Sequence, residues 1–281
     1  MKTELKIACS FPYPLNQKDE REIELDGEKF KIKWNGVVAE VLPAKQSPKS
    51  SEKARKIAEI LNSIVEVSKK IDFVPLKRGF SKPLYSVVSI EKFQTEDEIA
   101  TFLANNQWIV RETSNYLEMI ANRDLHVHVK PGTSLFSLIT TEKPLGTSAD
   151  IVNDGFGINQ LVWLLTKSLH EDANMICIGE PEIHLHPKAI RRLAHALAKI
   201  AKDKNKNFLI STHSESFLLA FLSLVSRKEL KPQEITIFFA EKREKKKHYL
   251  NLRRYLRMGK LKEALDPLLR MNLKILKNFL K

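Results

Sequence analysis

The sequence predicts an α/β protein: a parallel sheet flanked by helices, preceded by an antiparallel β meander and a helical insert. Three observations predict it. Aspartate-glycine and asparagine-glycine steps punctuate short alternating runs near the N-terminus. From Asn153 to Ala240, short apolar runs alternate with amphipathic helical segments. Within that stretch, Met175–Ile178 leads into Gly179-Glu180-Pro181, and Phe208–Ile210 leads into Ser211-Thr212-His213. One acid and one histidine thus fall at the carboxyl ends of two buried strands, where open α/β sheets keep their chemistry.

Residues 1–45 read as the meander. Glu22–Leu25, Phe30–Trp34 and Val37–Leu42 are separated by Asp26-Gly27 and Asn35-Gly36, the strongest local hairpin signals. Residues 44–52 read as a polar linker. An amphipathic helix over Lys53–Lys70 carries Ile57, Ile60, Leu61, Ile64 and Val65 at helical spacing. The stretch IDFVPLKRGF follows with no element assigned, then a strand over Tyr85–Ile90 and one long helix over Glu96–Asn122. Strands HVHVK and SLFSLIT close a mixed helical and β arm over 53–145. The core, 150–240, holds helices at Ile158–Leu169, from Pro187, and at Glu215–Val225. Its strands are Met175–Ile178, Phe208–Ile210 and Ile235–Ala240. Continuously apolar short strands between such helices argue for a parallel sheet covered on both faces. Proline at Pro187 suits a first helical turn.

At 281 residues the chain has room for one large or two small domains. No run approaches the roughly 18 apolar residues of a membrane span, and the N-terminus does not read as a signal or transit peptide. The two cysteines, Cys9 and Cys177, read as packing residues of a reducing compartment, with cytoplasm the expectation. Net charge is +13, and residues 241–281 carry 14 Lys or Arg against 4 Asp or Glu. Such a basic tail suits a polyanion such as nucleic acid. It equally suits a solvated Lys-rich surface, and it lacks the interleaved aromatic residues of a stacking platform.

The run MICIGEPEIHLHP, residues 175–187, resembles the Walker B strand and D-loop of ABC-type P-loop ATPases of the soluble RecF, SMC and OLD branch. STHSESFL resembles that branch's switch-histidine loop, and NDGFGINQL, residues 153–161, is similar to its degenerate signature motif. The three motifs occur in the family's order and spacing. The resemblance implies that Glu180 is the catalytic base and His213 the residue contacting the γ-phosphate. It implies that Asn153, Gly155, Gly157 and Gln160 belong to the signature surface offered to a nucleotide on a partner subunit. Glu182, His184 and His186 would lie in the D-loop at a dimer interface. ATP and Mg²⁺ are the implied ligands, and this chain or a homologous subunit the implied partner.

Two departures accompany the resemblance. No G-x-x-x-x-G-K-[ST] occurs among these residues, so the backbone nest and lysine that cradle phosphates are missing. Gly179 stands where the family usually has a carboxylate that helps hold Mg²⁺. Because family members place the phosphate loop near the N-terminus, the expectation is a chain that starts downstream of it. Two functions stay open: an ATPase subunit or fragment hydrolysing ATP in a dimer, and a non-catalytic paralogue acting as a binding or scaffold module. A metal hydrolase would draw on Glu180, Glu182, His184, His186 and His213, with His126 and His128 as a second pair on one strand face, but no spacing joins them. The bland reading makes Glu180 a loop-capping carboxylate, His213 a satisfied histidine, and Asn153 or Asp154 a helix N-cap.

Overall fold

The computed structural model describes residues 19–34, 38–242 and 250–254. Cys9, the Asn35-Gly36 step and most of the basic tail lie outside the described residues. Two compact units are present. One gathers the chain up to Val74 with His170–Cys177 and Lys206–Leu209; the other takes Pro75–Leu169, Ile178–Asn205 and the chain from Ile210.

The first unit contains the predicted meander. β1 (Asp19–Leu25) pairs antiparallel with β2 (Glu28–Trp34), which pairs antiparallel with β3 (Ala39–Pro43). Asp26 and Gly27 both take positive φ, 52° and 74°, the two-residue turn whose twist matches the strands it joins. Phe30 and Val41 project from one face of the sheet onto Ala54 of α1 (Pro48–Lys69). The Asn62 side chain holds both backbone groups of Ala39, its Oδ1 accepting at 2.8 Å and its Nδ2 donating at 3.1 Å.

Two readings of α1 need correction. The helix begins at Pro48, inside the predicted linker, because the Ser47 hydroxyl accepts the Ser50 N–H at 3.0 Å and proline supplies a ready first turn. Its inward stripe is the buried Ala54 with the partly buried Ile57, Ala58 and Leu61. Ile60 and Ile64 are 56% and 39% exposed, since two small alanines set the inward face.

IDFVPLKRGF opens with β4 (Ile71–Val74), an element the sequence did not signal. It joins β9 (Met175–Gly179) and β10 (Asn207–Ser211) in a parallel sheet of order β10-β9-β4. The fold class is therefore α/β with a parallel sheet and an antiparallel meander, as the pattern of elements predicted.

In the second unit the predicted long helix is two, α2 (Glu96–Asn105) and α3 (Gln107–Ala121). Asn106 breaks it with φ −131° and caps α3, its side chain accepting the Ile109 N–H at 3.1 Å. The predicted strand at 85–90 shrinks to β5 (Tyr85–Ser86). The N–H groups beyond it go to side chains: Val88 to Thr101, and Glu91, Lys92, Gln94 and Thr95 to the buried Glu98 carboxylate. β6 (Arg123–Val129) and β7 (Leu135–Glu142) pair antiparallel, with β5 on the other edge of β7, which also pairs with the unpredicted β8 (Thr147–Asp150).

A 3₁₀ turn at Ile151–Asn153 precedes α4 (Phe156–Leu169), buried on every side from Asn159 onward. α5 (Pro187–Asp203) is capped by His186, and α6 (Glu215–Ser226) by Ser214. The strand predicted at Ile235–Ala240 is β11 (Phe238–Lys242). It pairs antiparallel with β12 (Leu250–Arg254) and does not extend the parallel sheet. Among the described residues, no helix is long and apolar enough to cross a membrane.

Candidate functional site

β9 and β10 are neighbours, so whatever follows their last residues must emerge together. The pairing runs one residue past β9: the Glu180 N–H donates to the Ser211 carbonyl at 2.8 Å. Glu180 then turns the chain with φ +42°, a left-handed conformation that costs a non-glycine residue about 1–2 kcal/mol. Tight turns follow, with Ile183 N–H donating to Glu180 O at 3.3 Å and Leu185 N–H to Glu182 O at 3.1 Å. From the tip of β10, His213 Nε2 reaches to 3.9 Å from Glu180 Oε1. The imidazole is 92% exposed and the carboxylate 35%. That is a loose, wet pair with both polar ends free to meet a ligand.

Beneath this pair the turn is fixed by groups the sequence did not single out. Thr212 donates its hydroxyl to Glu182 Oε1 and accepts the Ser214 N–H at 2.9 Å, tying the exit of β10 to the turn after β9. Arg78, only 8% exposed, donates Nη1 to the carbonyls of Gly179 at 2.9 Å and Pro75 at 3.1 Å, and Nη2 to that of Glu180 at 2.9 Å. Burial pushes the guanidinium pKa down, and the charges of Glu182 and Glu180 oppose that shift. Arg78 is carried by a loop that Asn159 of α4 pins, with Oδ1 accepting the Phe80 N–H at 2.6 Å and Nδ2 donating to Phe80 O at 2.7 Å. The one sequence cue was the arginine-glycine step within IDFVPLKRGF, a stretch to which the sequence assigned no element. No spacing rule marks it.

The start of α4 meets the same turn. A Cβ on Gly157 would stand 2.7 Å from the His184 carbonyl oxygen, so only glycine lets the helix approach this closely. The rings of Phe156 and His184 lie 5.5 Å apart. Asn153 and Gly155 are exposed ahead of the helix, and Gly155 takes φ +80°. Gln160 is instead buried, 9% exposed, and among the described residues its Oε1 meets no hydrogen-bond donor. Asp154 does not cap α4; its carboxylate accepts from Thr140 and pairs with Arg123 at 3.1 Å. His186 Nδ1 accepts the Lys188 N–H at 3.3 Å. Glu180 therefore meets His213, Glu182 is tied to the exit of β10 through Thr212, and His184 packs against Phe156 and Gly157, while Gln160 is internal and His186 is occupied as a cap.

Among the described residues, no three His, Cys, Asp or Glu side chains gather as a metal site would require. A side chain at Gly179 would face Leu76 Cδ2 at 3.3 Å and Ser211 Oγ at 3.8 Å, and the glycine itself offers no oxygen ligand from a side chain. With glycine at 179 and no gathered acid cluster among the described residues, the residues present do not fit a magnesium ion by themselves.

Fold and side chains define an α/β protein in which a half-buried acid and an exposed histidine crown adjacent parallel strands. The sequence profile of the AAA ATPase domain family matches residues 15–218, and the chain belongs to that family. An ATPase-type function follows, and such a family implies a bound nucleotide and typically Mg²⁺. No curated protein sequence matches. Among solved structures, the chain is similar to an SMC ATPase studied for ATP-driven dimerization and DNA-stimulated activation, at 12% identity and TM-score 0.44 over 60% of this chain and 96% of that one. It is also similar to the SMC head domain of Thermotoga maritima, at 11% and 0.35 over 72% and 65%. A third is the Pyrococcus furiosus Smc head bound to the C-terminal domain of ScpA, at 11% and 0.35 over 61% and 37%. The chain thus spans less than two thirds of the last two proteins, and likeness this low bears on no residue's role.

Proposed function

We propose that this chain supplies the water-activating side of an ATP-hydrolysing site that a second ATPase subunit, of this chain or a homologue, completes. The observation that carries the proposal is the 3.9 Å approach of His213 to Glu180 at the tips of adjacent strands. In the reaction, the water oxygen bonds to the γ-phosphorus as the bond from that phosphorus to the β,γ-bridging oxygen breaks. ADP leaves with the electron pair, and a water proton passes to Glu180. His213 donates a hydrogen bond to a γ-phosphate oxygen. The exposed start of α4, with Asn153 and Gly155, offers N–H groups to the partner's nucleotide. The turn at Glu182–His186, against which Gly157 packs, forms the adjoining interface.

Residues 1–281 contain no phosphate-loop motif and carry glycine at 179, so on this reading the completing subunit would supply the phosphate-binding and magnesium-binding groups. The basic segment after Ala240 is assigned to polynucleotide, with affinity falling steeply as salt rises. The test is phosphate release by the protein expressed with its native coding sequence, compared with Glu180→Gln. Loss of roughly a hundredfold or more in turnover with ATP binding retained supports the base, and undiminished turnover removes it.

A second reading, the non-catalytic binding module, is favoured by Gly179 and by the absence of a phosphate-loop motif in these residues. It predicts no turnover in the unaltered protein.

A further inference from the structure

We propose that Arg78 is a positioning residue for hydrolysis: by fixing the carbonyls on either side of the Glu180 Cα, it aims the Glu180 carboxylate without touching it. This rests on the reading of Glu180 as the base. Three polar backbone groups surround that Cα. The N–H is held by Ser211 O at 2.8 Å, and the carbonyls of Gly179 and Glu180 are each held at 2.9 Å by a different terminal nitrogen of Arg78. With both flanking peptides fixed, the left-handed φ of +42° has little freedom left, and the direction of the side chain follows from it.

The arrangement is costly for a purely structural tie. A guanidinium sits 8% exposed with Nε unpartnered, and among the described residues its donors reach only backbone carbonyls. Burying a cation without a hydrogen-bonded carboxylate is unfavourable. Neutral packing would stabilise the loop at less cost, but it would not grip two carbonyls at once. Only the planar fork of arginine spans both. A lysine ammonium reaches as a point charge and leaves one peptide free to rotate. Leu76, two residues earlier, lies against Gly179, so one short loop holds the strand tip by an apolar contact and a polar one. That loop is anchored by the buried bonds between Asn159 and Phe80.

The experiment compares Arg78→Lys, Arg78→Met, Glu180→Gln and the Arg78→Lys/Glu180→Gln double variant in the protein expressed with its native coding sequence. Single-turnover hydrolysis, KM for ATP and thermal unfolding are read for each. Arg78→Lys should lower kcat about 10- to 100-fold, the scale of an ångström's misplacement. KM should change less than about threefold, and Arg78→Met should lose more. Adding Arg78→Lys to Glu180→Gln should cost nothing further, because the arginine acts through that carboxylate. Unchanged kcat in a folded Arg78→Lys protein overturns the proposal. So does a loss confined to KM, or one that adds in full to that of Glu180→Gln. Failure of both Arg78 variants to fold assigns the residue to stability alone and overturns it too. Full turnover by Glu180→Gln strikes the underlying reading instead, so the two failures are distinguishable.

Discussion

Gly79→Ala isolates how tightly the loop under the strand tip is built. Gly79 takes φ +121°, outside the left-handed helical well and open in practice only to glycine, so alanine there carries about 1–3 kcal/mol of strain. The added Cβ would also lie 2.5 Å from Asn159 Oδ1 and 3.3 Å from its Cγ. Relieving that overlap moves Oδ1 back by about 0.7 Å or more, which breaks its 2.6 Å bond from the buried Phe80 N–H. An unmade buried bond costs about 1–3 kcal/mol, so the total is about 2–6 kcal/mol. For a protein of this size, that lowers Tm on the order of 10 °C. Gly146→Ala is the control: its φ is +66° with nothing within 4 Å of the new Cβ, so only strain of about 1–2 kcal/mol remains. Denaturant unfolding of both variants, followed by circular dichroism, reads the difference. Because the loop carries Arg78, turnover should fall in Gly79→Ala and hold in Gly146→Ala. Equal destabilisation of the two would refute the claim that Asn159 contact governs this loop.

Glu98 is expected to make acid stability pH-dependent. Burial pushes its carboxyl pKa up, but the N–H groups of Glu91, Lys92, Gln94 and Thr95 outweigh this and hold it well below the ordinary 4.5. Its stabilisation is therefore full above about pH 4.5 and is lost as pH falls through the lowered value. Glu98→Gln should cost about 2 kcal/mol at pH 7 and flatten the acid limb; an unaltered profile of unfolding free energy against pH would contradict this. Gly157→Ala should cost about 1–3 kcal/mol by overpacking, since its Cβ meets a backbone oxygen at 2.7 Å that no rotamer can move. A thermal melt matching wild type would show that the turn at His184 yields.

Much of this was legible because two periods dominate the sequence. Alternation with Asp26-Gly27 gave the meander, and apolar runs ending in Glu180 and His213 gave the sheet tips. What escaped notice has particular causes. Asn106 is a middling helix residue whose side chain ends one helix and caps the next, so the continuous apolar pattern of Glu96–Asn122 hid the break. β5 stopped early where a helix side chain intervenes: within the predicted Tyr85–Ile90, the Val88 N–H donates to the Thr101 hydroxyl of α2. β11 looked like another parallel strand, but its partner, Leu250–Arg254, lies in sequence read only for charge. The supports of the candidate site were least visible. Arg78 lies 101 positions before the carbonyl of Gly179, and Asn159 lies 79 from Phe80. Such contacts are set by tertiary packing and carry no local signature.

The most direct measurement is a crystal structure of the protein, expressed with its native coding sequence, bound to a non-hydrolysable ATP analogue and Mg²⁺. His213 should lie within hydrogen-bond reach of a γ-phosphate oxygen, with a water held between that phosphate and Glu180. A triphosphate bound away from the tips of β9 and β10 would contradict the account.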